Sequence, residues 1–133
     1  MSTIKQTIMS AKAATGVSEI ISLVENFKTV TLTVSGASSP TGTIKFFAAD
    51  SDLPPDPLSA QSPSNPWDYV QAIDLQSGAA VNGDTGIDFA GSADTRRFEL
   101  NISGARWVGA VITAYTGGNY TILLRAFANA SSY

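Results

Sequence analysis

The sequence predicts an all-β protein, a single antiparallel β-sandwich or jelly roll of about seven to nine short strands with a long proline-rich loop. Apolar and polar residues alternate with a period of two along most of the chain, as they do in half-buried strands. Turn-forming residues recur at intervals of about 8 to 12 residues, and no segment has the periodicity of a long helix. The length of 133 residues suits one domain spanning residues 1–133.

The N-terminal segment, residues 1–16, allows more than one interpretation. Ile4 and Ile8 have the spacing of one helix face, whereas the threonine and serine content favours a strand or an arm that pairs with a neighbouring copy. We predict an N-terminal arm over residues 1–16. We expect no signal peptide and no membrane span, because the segment lacks a continuous apolar run and no run in the chain reaches about 18 apolar residues.

The first clear strand pattern lies in FKTVTLTVSG, where Val30, Leu32 and Val34 alternate with threonines. Apolar residues on one face and threonines on the other are typical of a half-buried strand. Residues 36–42, GASSPTG, are predicted as a loop because glycine, serine and proline break regular structure. The segment TIKFFAA then forms a second strand, so the two strands are predicted to pair as a hairpin.

Residues 50–66, DSDLPPDPLSAQSPSNP, contain five of the six prolines of the chain. Proline has no backbone N–H and cannot donate to a sheet, so this segment is predicted to be a long, stiff and largely extended loop. Irregular loops longer than about 12 residues are uncommon in compact domains and are often functional. We therefore expect this loop to make contacts with a partner.

After the loop, WDYVQAIDL is predicted as a strand, with Trp67, Tyr69, Ile73 and Leu75 on one face. The segment 76–86 is rich in turn residues, and Asn-Gly within it is a strong turn signal. It separates this strand from the next short strand, IDFAG.

Three further strands are predicted in the last third of the chain. RRFELNISG alternates clearly, with Phe98, Leu100 and Ile102 on its inner face. RWVGAVITAY is apolar on both faces, which is typical of a central strand. TGGN, residues 116–119, is predicted as a hairpin turn that leads into the final strand, YTILLRAFA.

The composition excludes several functional classes. The chain has no histidine and no cysteine, so histidine triads, thiol nucleophiles and metal sites built on these residues are excluded. The net charge of −3 gives no basic footprint, so we expect no nucleic-acid partner. Charged residues make up only 14%, against a usual ~25%. A surface poor in charge loses water cheaply, and we interpret it as a surface that packs against other protein copies.

Acidic residues form two groups in the sequence: Asp50, Asp52 and Asp56 in the proline-rich loop, and Asp84, Asp88 and Asp94 in and around the turn-rich region. Neither group has the spacing of a known calcium-binding loop, so their expected role is to solvate loops and cap turns. A carboxylate pair could also serve glycoside hydrolysis, but no aromatic-rich cleft accompanies these acids. We therefore predict no enzyme activity, no metal site and no cofactor.

The aromatic residues Trp67, Tyr69 and Trp107 allow two interpretations. Exposed aromatic rings on a β-sandwich could stack on sugars, as in a carbohydrate-binding module. However, Trp67 and Tyr69 share a face with Ile73 and Leu75, and Trp107 begins an apolar strand. The favoured interpretation is that these residues are core aromatics that anchor the proline-rich loop.

Three stretches together resemble small β-sandwich proteins of phage virions: FKTVTLTVSGASSPTGTIKFFAADSD, NPWDYVQAIDLQSG and RRFELNISGARWVGAVITAYTGGNYTILLRAF. The similarity extends over residues 27–127 and lies in the hydrophobic pattern and the placement of turns. Such proteins decorate or cement capsids, or form head-fibre and tail-associated modules. The resemblance implies a non-enzymatic structural protein located in the virion and synthesised in the host cytoplasm.

The expected partners are other virion proteins, either capsid or tail subunits, and further copies of the chain in a homo-oligomer such as a trimer. A tail or fibre component and a carbohydrate-binding module remain as alternatives. The candidate interface residues come from the N-terminal segment and the proline-rich loop: Ile4, Ile8, Leu53, Pro54, Pro55, Pro57 and Leu58.

Overall fold

A computed structural model describes residues 3–23, 27, 29–100, 102 and 105–127. Within these residues all regular structure is β-strand, and the predicted all-β class is confirmed. The ten strands are β1 Thr3–Lys12, β2 Gly16–Val17, β3 Ile21–Ser22, β4 Thr29–Ala49, β5 Trp67–Tyr69, β6 Ala72–Asp74, β7 Ala80–Val81, β8 Ile87–Ala90, β9 Asp94–Leu100 and β10 Trp107–Phe127. The described residues contain no helix of the length and apolarity needed to cross a membrane.

The strands pair antiparallel in one open sheet built around β4 and β10. These two strands have 21 residues each and pair along their whole length, from Thr29 opposite Phe127 to Ala49 opposite Trp107. We call this pair of strands the ribbon. In one half of the ribbon, at residues 29–36 of β4, the strands lie side by side in the order β1-β10-β4-β9-β6-β7. The other half carries β5 and β8 on β4, and β2 and β3 on β10.

The predicted loop over residues 36–42 and the predicted hairpin turn over residues 116–119 are both wrong. Both segments lie inside β4 and β10, where they interrupt the regular register of the ribbon. Ser38, Ser39 and Gly118 have positive φ angles of 58°, 57° and 79°. The turn-forming residues of the two strands lie beside each other, so they produce irregular pairing in a continuous ribbon and no chain reversal.

One hydrophobic core contains the inward faces of both ribbon halves. Val30, Leu32 and Val34 are fully buried, as the alternation in the sequence predicts. The rings of Phe46 and Phe98 come from opposite halves, and their centroids lie 5.7 Å apart. The two halves therefore share a core although all pairing belongs to one sheet. The predicted sandwich or jelly roll stays a prediction.

Residues 3–12 of the predicted N-terminal arm form strand β1, which pairs with β10 of the same chain. The strand interpretation of this segment holds, and the helical spacing of Ile4 and Ile8 does not produce a helix. The predicted segments also include residues 1–2, 28, 101, 103–104 and 128–133, which lie outside the described residues.

Candidate functional site

A second apolar cluster lies on the face of the ribbon that points away from the main core. Phe47 and Val111 belong to it, because each alternates with neighbours that face the main core. The cluster also contains Ala49 and the buried Trp67, with Tyr69 and other residues packed at its margin. The prediction that the segment around residue 111 is apolar on both faces is therefore confirmed.

The proline-rich loop is attached to this second cluster by two tryptophans. The indole Nε1–H of Trp67 donates a hydrogen bond of 3.1 Å to the carbonyl oxygen of Ser59. The indole Nε1–H of Trp107 donates one of 2.8 Å to the carbonyl oxygen of Ser51. Both acceptors belong to the loop, and an indole that is mostly buried needs such a partner for its N–H.

The position of these aromatics bears on their candidate role in sugar binding. Trp67 is only 8% exposed, and its ring lies edge-on to Tyr69 at a centroid distance of 5.0 Å. Tyr69 and Trp107 are half-buried, and the Nζ of Lys45 lies 4.9 Å from the centre of the Tyr69 ring. The rings therefore contact their own chain on several sides, as expected for residues that anchor the loop.

The loop also holds its own shape through hydrogen bonds centred on Asn65. Its side-chain Oδ1 accepts from the backbone N–H of Asp56 at 2.9 Å, and its Nδ2 donates to the carbonyl oxygens of Asp56 and Ala60. The carboxylate of Asp56 in turn accepts from the backbone N–H of Leu58 and the hydroxyl of Ser59. The loop is therefore ordered although it contains little regular secondary structure.

The candidate interface residues of the loop divide into buried prolines and exposed leucines. Pro55 and Pro57 are buried, whereas Pro54 is exposed. Leu53 is 76% exposed and Leu58 is 71% exposed, the highest values among the large hydrophobic residues that the structure describes. The loop thus presents two leucine side chains to solvent from an ordered backbone.

The two candidate interface residues of the N-terminal segment lie elsewhere. Ile8 is 2% exposed in the main core, and Ile4 is half-buried against the same core. The side chain of Ile8 therefore packs within its own chain. Ordinary alternation explains its burial, because Ile4 lies opposite the buried Ala126 and Ile8, four residues later on the strand, points to the same side. The register shift between Thr7 and Met9 then turns Met9 to that side as well.

The acidic side chains of the described residues are the remaining candidates for metal ligands. Among the described residues no group of three or more acidic, histidine or cysteine side chains could hold a metal ion. Asp88 accepts a hydrogen bond of 2.7 Å from the Thr43 hydroxyl, and Asp94 accepts one from the Thr95 backbone N–H. Asp52 forms an ion pair with Arg106 at 3.3 Å while its own side chain is 98% exposed.

One ion pair was not foreseen from the sequence. Arg96 Nη2 lies 3.4 Å from Asp74 Oδ2, and the Arg96 guanidinium also lies over the ring of Phe98. The backbone N–H of Gln76 is the main cause that lowers the pKa of Asp74, burial opposes it, and Arg96 lowers the pKa further. The adjacent Arg96 and Arg97 offered only a weak signal, since the sequence does not show which of them meets a carboxylate.

Comparison with known proteins gives information on the fold. No protein-family profile matches the chain, and no curated protein matches it by sequence. Among solved structures, the chain is similar to the crystal structure of SPBc2 prophage-derived protein YomS, with a TM-score of 0.68 and 16% sequence identity. The similarity covers 94% of this chain and 92% of that chain. At this identity it shows a shared fold.

Proposed function

We propose that the chain is a non-enzymatic structural protein of a phage virion, a capsid decoration or cement protein that stabilises the particle by packing between subunits. The similarity of its fold to a prophage-derived protein over nearly the full length of both chains carries this proposal. The protein would be synthesised in the host cytoplasm and located in the virion. Its partners would be other virion proteins and further copies of itself.

The proposed mechanism is burial of surface by an ordered loop. Leu53 and Leu58 are solvent-exposed, while Trp67 and Trp107 fasten the loop that carries them. An ordered loop loses little conformational entropy when it docks, so more of the contact energy contributes to binding. A standard interface buries ~800 Å² per partner, and many weak contacts on one particle add avidity.

The composition supports a structural role over a catalytic one. The chain has no histidine and no cysteine, and only 14% of its residues are charged. Histidine, the most common general base near neutral pH, and the cysteine thiol nucleophile are therefore missing. We propose that the protein acts without a cofactor and binds neither nucleic acid nor a membrane.

The test is whether the chain is part of the particle. Particles of the phage or prophage that encodes the chain would be purified on a density gradient and their proteins identified by mass spectrometry. The proposal expects the chain in intact particles at many copies. Its absence from purified particles, with its presence in the soluble lysate, would contradict the proposal.

The same particles separate a capsid role from a tail or fibre role. Particles made without the gene would be heated or transferred to low salt, and their release of DNA measured. Early DNA release from normally shaped heads supports a capsid decoration or cement protein. Stable heads with missing tails or with lost adsorption to cells would assign the chain to the tail or fibre.

The half-buried rings of Tyr69 and Trp107 leave a carbohydrate-binding module as a second candidate. A glycan array would test it, together with the tryptophan fluorescence of the free and glycan-bound protein. Binding that protects the fluorescence from acrylamide quenching and is lost in Trp107→Ala would support this candidate. A soluble quencher that already fails to reach the tryptophans in the free protein would argue against it.

A further inference from the structure

Three basic side chains lie on one face of the sheet and have no carboxylate partner among the residues that the structure describes. Lys5 of β1 and Arg125 of β10 are directly opposite each other in the register, and Arg97 of β9 lies on the same face, opposite Thr33. All three basic residues are exposed. No carboxylate of the described residues lies within ion-pair distance of any of them.

The direct pairing of Lys5 with Arg125 disfavours the isolated fold. Like charges opposite each other on neighbouring strands repel, and here nothing in the described part of the chain neutralises them. Glu99 lies on the same face, but Thr31 of β4 separates it from Arg125, a distance of about 10 Å between the outer strands. This arrangement is unfavourable in the single chain and would become favourable beside an acidic surface.

An apolar side chain lies among these three basic residues. Leu123 of β10 is half-buried and lies two residues before Arg125 on the same strand. It pairs with Thr33 of β4, which in turn pairs with Arg97 of β9. We call the surface formed by Lys5, Arg97, Leu123 and Arg125 the basic face. It lies on the residue 29–36 half of the ribbon and points away from the main core.

A surface of matching chemistry lies at the start of the proline-rich loop. Asp50 and Asp52 are exposed carboxylates, and Asp52 remains 98% exposed although it lies 3.3 Å from Arg106 of its own chain. The exposed Leu53 follows them directly, with exposed Leu58 five residues later. We call Asp50, Asp52, Leu53 and Leu58 the acidic tip. The protein as a whole carries a net charge of −3, so the basic face is opposite in sign to the rest of the molecule.

The acidic tip cannot cover the basic face of its own chain. Ser51 and Ser59 are bonded to Trp107 and Trp67, and this fixes the loop on the second apolar cluster. That cluster lies on the outer side of the residue 41–49 half of the ribbon, whereas the basic face belongs to the other half. A contact between the two surfaces therefore needs two chains.

We propose that the acidic tip of one copy docks on the basic face of a second copy. The carboxylates of Asp50 and Asp52 approach the like-charged pair Lys5 and Arg125, and Leu53 and Leu58 cover Leu123. Because the two surfaces differ, the contact is head-to-tail and either closes into a ring, such as a trimer, or extends into a fibre. This inference rests on the proposed function, since it specifies how the structural protein assembles.

Complementary charge reversal tests the contact. One variant carries Lys5→Glu and Arg125→Glu on the basic face, and the other carries Asp50→Lys and Asp52→Lys on the tip. We expect each variant alone to raise the dissociation constant of self-association, measured by light scattering over a concentration series, by at least about tenfold. An equimolar mixture restores association, because the acidic tip of one variant then meets the basic face of the other.

Two controls keep the result independent of folding and of net charge. Asp84→Lys with Asp88→Lys makes the same charge change as the tip variant, away from both surfaces, and should leave association unchanged. Lys5→Gln with Arg125→Gln removes the like-charge repulsion, so this variant should be at least as stable as the wild type and still lose association. Circular dichroism and urea denaturation verify that each variant is folded.

Three outcomes would overturn the inference. They are a wild-type chain that is monomeric at every concentration, association that the charge reversals do not alter, and a mixture that fails to restore it. Binding of short duplex DNA by Lys5 and Arg125 in a monomeric chain would assign the basic face to a nucleic acid instead. None of these outcomes affects the presence of the chain in purified particles, so the proposed function is judged separately.

Discussion

The carbonyl oxygen of Ser51 accepts a 2.8 Å hydrogen bond from the indole N–H of Trp107, a residue 56 positions later in the chain. This bond joins the first residues of the proline-rich loop to the central strand β10. It explains how a segment with almost no sheet pairing can have a defined position. The same bond connects the acidic tip to the rigid part of the molecule.

Trp107→Phe should loosen the loop while the sheet remains intact. Phenylalanine keeps an aromatic ring in the cluster but cannot donate to Ser51, so we expect a loss of about 1 to 2 kcal/mol in the free energy of unfolding. Hydrogen exchange of peptides covering residues 50–66 should become faster, while exchange in β4 stays slow. Tyr69→Phe is the matched control, because its hydroxyl makes no hydrogen bond with the described residues. Unchanged loop exchange in Trp107→Phe would show that the indole bond does not hold the loop.

Gly118→Ala should be among the most damaging single changes in the ribbon. Gly118 has a φ of +79°, and an added Cβ would lie 2.5 Å from the Cα of Pro40. Strain and clash together should lower the free energy of unfolding by about 3 kcal/mol or more. Gly117→Ala is the control, since its nearest contact would be 3.7 Å from the carbonyl oxygen of Ser39. Equal melting temperatures for the two variants would contradict the irregular pairing described at this point.

Tyr120→Phe should stabilise the protein. The Tyr120 hydroxyl is buried and has no hydrogen-bond partner among the described residues, so its removal should add about 1 kcal/mol to the free energy of unfolding. Burial, with a smaller contribution from Tyr115, raises the pKa of Tyr120. Because the pKa is higher in the folded state, wild-type stability falls as pH rises above about 10, and the advantage of the variant grows. Urea denaturation at neutral and alkaline pH measures this, and a destabilised variant would indicate a partner for the hydroxyl.

Asp74→Asn should lower stability near neutral pH but have little effect in acid. The Gln76 backbone N–H and Arg96 lower the pKa of Asp74 below its usual value, against the effect of burial. Its contribution is therefore present above the unfolded pKa of about 3.9 and is lost as pH falls through the folded pKa. We expect a loss of about 1 kcal/mol at pH 7 in urea denaturation that disappears once the pH is below the folded pKa of Asp74. Asp84→Asn serves as a control, and a difference between Asp74→Asn and wild type that persists in acid would contradict the account.

The sequence predicted the parts of the fold that depend on alternation. Val30, Leu32 and Val34 are buried as expected, because a period of two determines which face of a strand meets the core. It misplaced the turns at residues 36–42 and 116–119. Turn-forming residues report a local change in backbone direction, and they do not reveal that a second strand bends beside them.

The candidate site was also predicted only in part, because local patterns do not show which distant segments meet. The proline content predicted a stiff, largely extended loop, whereas in the structure the loop folds back so that Asn65 bonds to Asp56. Only the structure shows that Pro55 and Pro57 are buried while Leu53 and Leu58 are exposed. The burial of Met9 beside Ile8 depends on an irregular register with β10, which no local pattern encodes. The pairing of Lys5 with Arg125 likewise joins residues from opposite ends of the chain.

The long ribbon also affects how the chain reaches its fold. Thr29 pairs with Phe127, so the central contact of the sheet joins segments separated by most of the chain. Such a high contact order predicts folding on a timescale of about milliseconds to seconds, which stopped-flow tryptophan fluorescence can measure. During translation, β4 is synthesised well before β10, the strand with which it pairs along its whole length. Its apolar side chains are open to aggregation in the interval, and the nascent chain is the stage at which this protein is most exposed to a chaperone.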